Sequence, residues 1–120
     1  MPILSYESAH PYSNSVDHME NVVIFGTIAF TVSFGSNTST EEGYDFVTFC
    51  KDATCAENWG TYSGTNFPGV SGIPIIMIPS EEFVVRFVSD SSSTDWGYDM
   101  MITPIGKGNV HDIFISFSSM

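Results

Sequence analysis

Positive charge is what this chain has least of. Its 120 residues carry three basic side chains, Lys51, Arg86 and Lys107, against fourteen Asp and Glu, for a formal net charge of −11. A field of that sign repels phosphate backbones, so no nucleic acid is expected among its partners. It also disfavours an anionic membrane surface unless a cation bridges the two. Divalent cations are the natural counterpart of such a surplus. Cysteine is scarce too. Cys50 and Cys55 stand alone, and two thiols without a second ligand pair fall short of a four-coordinate zinc site. No apolar run approaches the ~18 residues that a bilayer-spanning helix needs, so no transmembrane segment is expected. The opening "MPILSYESAH" has neither the basic flank nor the long apolar stretch of a signal peptide. The expected location is extracellular if the chain is a processed form, and cytoplasmic otherwise.

Helical periodicity is also missing. What is present instead is 42% hydrophobic residues, including ten Phe, five Tyr and two Trp, a composition that suits pleated, half-buried surfaces. "IAFTVSF" alternates strictly, with Ile28, Phe30, Val32 and Phe34 on one face and Ala29, Thr31 and Ser33 on the other. "VVIF" before it reads as a separate short strand, split off at Gly26. "YDFVTFC" (44–50), "IIMI" (75–78), "FVVRFV" (83–88) and "YDMMIT" (98–103) read as further strands. "NWGTYSGTNFPGVSG" (58–72), with four Gly and a Pro, reads as a long irregular connection. Short strands fenced by Gly, Pro, Asn and Ser predict one all-β domain, an antiparallel sandwich.

The stretch "FVSDSSSTDWGY" (87–98) sets two aspartates and several hydroxyl residues between strands. It is either a solvated hairpin tip or half of an oxygen-rich cation cage. Cys50 and Cys55 are either a short hairpin disulfide or two free thiols. Asn37-Thr38-Ser39 fits the glycosylation pattern, which such triplets often do by chance. His10, His18 and His111 show no ligand spacing and read as surface or strand-end residues. Ser63 lacks the strand-turn-helix context of a nucleophile elbow. Glu41-Glu42 and Glu81-Glu82, read as strand neighbours, point to opposite faces and cannot flank one bond. With no catalytic constellation, the expectation is a binding module and not an enzyme. Trp59 reads as closing one end of the sandwich, whereas Trp96 is a candidate contact residue.

Taken in order, "HPYSNSVD", "YDFVTF", "GTYSG" and "FVVRFVSDSSSTDWGY" resemble the CUB domain over about residues 7–104. That family shows a Pro-Tyr-x-Asn opening, a Tyr-Asp pair opening a strand, Gly-x-Tyr-Cys-Gly, and Phe-x-Ser-Asp-x-Ser followed by Gly-aromatic. Tyr44-Asp45, Gly60 to Gly64, and Phe87, Ser89, Asp90, Ser92, Gly97 and Tyr98 fall at those places. The family's cysteines do not: His18 or Met19, Glu42 and Ser63 stand where its two disulfides would begin or end. CUB-like segments with Thr-Glu ahead of the Tyr-Asp also occur inside large intracellular proteins.

The resemblance implies a jelly-roll β-sandwich and, because many CUB domains bind calcium through loop carboxylates, a Ca2+ site. Asp45 and Asp90 match two of the family's ligands; Asn37 stands where its Glu would be. Glu41 is the expected substitute, with Glu42 and Asn37 in reserve and Ser92 adding a backbone or side-chain oxygen. Calcium takes about six to eight such oxygens. Without a cation, clustered carboxylates repel, so Asp45→Asn is expected to be neutral or mildly stabilising in calcium-free protein. Tyr44 and Trp96 beside the loops are the expected contact residues for a protein or glycan ligand. Past the family's end, "VHDIFISF" (110–117) predicts an additional C-terminal strand within 105–120. It would cap an edge of its own sheet or augment a neighbour's. The latter use would make the protein a self-assembling or adhesive homo-oligomer.

Overall fold

The computed structural model describes residues 3–106. Every regular element among them is a strand: β1 Leu4–Glu7, β2 Asp17–Val23, β3 Thr27–Phe34, β4 Phe46–Cys50, β5 Asn58–Tyr62, β6 Ile76–Ile78, β7 Glu82–Val88 and β8 Asp99–Gly106. They form two four-stranded sheets, β1-β8-β3-β6 and β2-β7-β4-β5, and every pairing is antiparallel. The expected sandwich is there.

Alternation in β3 does what its pattern predicts. Phe30, Val32 and Phe34 are buried and meet the apolar side chains of β4 and β7 across the interface. Phe30 packs edge-on against Phe83 with ring centroids 5.1 Å apart, and Phe34 against Phe49 at 6.1 Å. Such perpendicular ring pairs add to the area term that drives sheet-on-sheet packing.

Several boundaries differ from the sequence reading. "VVIF" is not a strand of its own: Val22 and Val23 end β2, while Phe25 lies in the following turn, 81% exposed. The first residues of β2, "DHMEN", are mostly polar and none is buried, as an edge strand allows. β1 is an edge strand of the other sheet, again too short and too polar to show as a pattern. The 58–72 stretch is not wholly irregular, since it opens with edge strand β5. The rest of it drops Phe67 into the core with no exposed surface, tilted against Phe34 at 4.8 Å. β4 starts at Phe46 and not at Tyr44, because residues 41–45 form a turn. β8 runs on through Gly106, so residues 105 and 106 continue that strand. The strand expected at 110–117 lies outside the described residues.

Cys50 and Cys55 are bridged, which decides between the two alternatives for the pair. The bridge closes the β4–β5 connection over the outer side of its sheet.

Candidate metal centre

Three connections meet at one end of the sandwich: residues 8–16, the turn before β4, and the loop between β7 and β8. Each is tied down by its own short-range chemistry. In the turn, the amides of Tyr44 and Asp45 both donate to the Glu41 carbonyl, at 3.3 and 3.0 Å. Gly43 takes φ +80°, a conformation that glycine adopts at little cost. Thr40 Oγ1 donates to the Asp45 carbonyl at 2.9 Å and accepts from the Gly64 amide at 3.1 Å. In the β7–β8 loop, buried Ser89 donates to the Ser13 carbonyl at 2.7 Å and accepts from the Val16 amide at 2.8 Å.

At the centre is Asp45, a carboxylate with no exposed surface. Its Oδ1 accepts from the Asp90 amide at 2.8 Å and its Oδ2 from the Tyr12 hydroxyl at 2.6 Å. The same hydroxyl oxygen accepts from the Glu41 amide at 2.9 Å. A buried charge needs such partners. Tyr12 therefore braces Asp45 and Glu41 at once, and burial raises its own ionisation well above the usual phenol range, with the Asp45 hydrogen bond next in effect.

Glu41, Asp45 and Asp90 each offer a carboxylate oxygen, and the three atoms lie within 4.8 Å of one another. The Glu41 carboxyl meets Ser93 and Asp90, yet its Oε1 is buried without a hydrogen-bond partner. Desolvation pushes the Glu41 carboxyl above the usual range, and the negative charges of Asp90 and Asp45 push it further. A buried, unpartnered oxygen on one of three clustered carboxylates makes a donor set for a hard cation. The residues present therefore fit calcium. They do not fit zinc, which prefers nitrogen and sulfur.

The turn explains the choice of Glu41. The chain reverses through Gly43, and the Asp45 amide bonded to the Glu41 carbonyl closes the turn and returns Asp45 beside Glu41, while Glu42 leans over Gly64. Opposite strand faces, the reason anticipated for preferring Glu41 to Glu42, is not the reason that operates. Asn37 sits exposed in the turn after β3. Ser92 is exposed, and its amide donates to Asp90 Oδ1 at 3.3 Å. An amide at Asp45 would keep one acceptor oxygen and turn an N–H toward its other partner, which the Tyr12 hydroxyl oxygen can accept and the Asp90 amide cannot.

Tyr44 is 63% exposed beside the cluster, where a contact residue belongs. Trp96 is half-buried and has one face covered: His10 stacks on it with ring centroids 3.7 Å apart. His10 also bonds through Nδ1 to the Trp96 carbonyl at 2.8 Å and through Nε2 to Glu7 at 3.0 Å. Trp59 packs against the core, with Lys51 Nζ 5.4 Å from its ring centroid. Sequence reasoning missed Tyr12, Ser89 and His10 as structural parts of this end. "HPYSN" was visible, but nothing local to it says which oxygen Tyr12 will meet.

No protein-family model matches the chain. It is 30% identical over 103 residues to human "Zinc finger ZZ-type and EF-hand domain-containing protein 1", covering 86% of this chain and 3% of that protein. It is 27% identical over 105 residues to human "E3 ubiquitin-protein ligase HERC2", covering 82% of this chain and 2% of that one. The chain thus spans only about 2–3% of the length of these curated relatives. Among solved structures, the MASP-1 CUB2 domain bound to Ca2+ matches with a TM-score of 0.70 and 18% identity, over 84% of this chain and 91% of that one. The CUB1-EGF-CUB2 region of human MASP-1/3 matches with a TM-score of 0.72 and 15% identity, over 92% and 44%. The extracellular region of zebrafish Gpr126/Adgrg6 matches with a TM-score of 0.69 and 15% identity, over 87% and 14%. The fold is CUB-like.

Proposed function

We propose that this CUB-like sandwich is a calcium-binding recognition module, which engages a protein or glycan ligand through the loops around the ion. The carrying observation is the Glu41–Asp45–Asp90 cluster with its buried, unpartnered Glu41 Oε1. Glu41, Asp45 and Asp90 would hold the ion. Bound there, it would supply the positive charge that offsets their repulsion and would tie the loops into one rigid rim. Asp45, fixed by Tyr12 and the Asp90 amide, keeps its position without help. Glu41 and Asp90 are the residues whose cost of approach the ion relieves. Tyr44, exposed on that rim, is the ready contact residue. The solved CUB2 domain with bound Ca2+ supports the reading by its fold.

Calcium in excess should raise the melting temperature relative to EDTA. Binding to the native state stabilises by ~2.7 kcal/mol at one hundred times Kd, a shift on the order of 10 °C for a domain of this size. Asp90→Asn should remove most of that shift. Matching melting curves in calcium and EDTA, with no binding heat by calorimetry, would end the metal reading. A protein and glycan array probed in both conditions tests recognition itself. Capture that ignores calcium would separate the ligand surface from the ion.

A further inference from the structure

The outer face of the β1-β8-β3-β6 sheet is unlike the rest of this acidic molecule. Its cross-strand rows read Ser5, Met101, Ser33 and then Thr103, Thr31, Met77, with no charged residue among them. Among the described residues, four of the seven exposed large apolar ones, Ile3, Ile75, Met77 and Met101, belong to this sheet or its strand ends. Glu7 and Asp99 border the patch on one side only, paired across β1 and β8. Farther along the same face, Ala29 and Ile105 pair across β3 and β8 and are buried, at 6% and 8% exposure, although the partner sheet lies on the opposite face.

A second copy is a poor occupant. Four strands at ~4.8 Å spacing and three rows of residues give a face of roughly 400 Å², about half of what each partner of a stable complex buries. Each copy would also bring eleven net negative charges. A tethered occupant avoids the cost of association. The described residues end at Gly106, on an interior strand of this sheet. The fourteen that follow, 107–120, contain Ile113, Ile115 and Phe117 at alternate positions, a spacing that in an extended chain puts all three on one side. We propose that residues 107–120 of the chain itself cover this face, making it a second, intramolecular core and not a free docking surface.

Methionine oxidation tests the proposal in the full chain. Met77 and Met101, at 45% and 48% exposure, match Met19 on the other sheet at 40%, while Met100 at 4% is the buried reference. With limiting peroxide and mass spectrometry, Met77 and Met101 should oxidise several-fold more slowly than Met19. Removing residues 107–120, or replacing Ile113, Ile115 and Phe117 with Ser, should bring their rates up to that of Met19. If Met77 and Met101 react as fast as Met19 in the dilute full chain, the face is uncovered and the proposal fails. It also fails if their protection grows with protein concentration, which would assign the face to a second copy. The full-chain comparison needs no variant to fold.

Discussion

At its N-terminal end β4 is anchored through Asp45, a fully buried carboxylate held by Tyr12 and the Asp90 amide. At its C-terminal end the anchor is covalent, the Cys50–Cys55 bridge, surrounded by exposed partners such as Lys51 and Glu57 at 3.2 Å. The two ends fail differently. A buried polar network leaves donors without water or partner when one member goes. A hairpin stapled on a short loop loses only a modest restraint when the bridge opens, although Cys50 itself is buried. The Asp45 end is therefore costly to break, and the bridged end is tolerant.

The largest expected effect is Asp45→Ala. It orphans the Tyr12 hydroxyl and the Asp90 amide, at ~1–3 kcal/mol for each buried unsatisfied donor. Urea unfolding in EDTA should show a loss on the order of 4 kcal/mol; a loss like that of a surface substitution would mean that water fills the gap. Reduction of the Cys50–Cys55 bridge comes next. The closed loop is shorter than the fifteen residues for which ~3 kcal/mol is expected, so the protein should soften by less than that and stay folded. Unfolding on adding reductant would reverse the comparison between the two ends.

Glu41→Gln has a smaller effect, and its sign depends on the ion. Because burial and two neighbouring carboxylates raise the Glu41 ionisation in the folded protein, its ionised form opposes folding. In EDTA, stability should therefore fall as pH rises through the window just above the ordinary carboxylate value of ~4.3. Glu41→Gln should flatten that slope. In calcium the slope reverses, since the ligand must be deprotonated, and the substitution becomes harmful. Melting curves from pH 4 to 7 in both media distinguish these cases. The smallest expected effect belongs to His10. Glu7 first, and the Trp96 carbonyl second, raise its ionisation, and since both are acceptors only the imidazolium satisfies both. The stability it adds is complete below ~6.5 and is lost as pH rises through its higher folded value. His10→Gln should remove a slight pH dependence there and leave the calcium response intact.

Two interior strands were readable: β3 because burial on one face forces alternation, and β7 because its apolar run is solid, with Phe83, Val84 and Val85 all buried. Edge strands β1, β2 and β5 were hidden, since together they bury a single residue, Val22, and so show little apolar pattern. Asp45 and Asp90 stood out because they fall at two ligand places of the CUB domain that the sequence resembles. Glu41 was identified, but for the wrong local geometry: a turn replaces the strand that was expected around it. That one face of Trp96 is covered by His10, a partner 86 positions away, was not legible in the sequence.

Composition and alternation were enough to dictate an all-β sandwich, and the charge imbalance was enough to point to a cation. Both are sums over many residues, and no single contact alters them. The site itself was decided only in three dimensions. Its bonds join Tyr12 to Glu41 and Asp45 across 29 and 33 positions, and Asp45 to Asp90 across 45. Whether a carboxylate is a solvated tip or a buried ligand depends on what folds over it, and for Glu41 Oε1 that covering comes from loops brought together by two packed sheets.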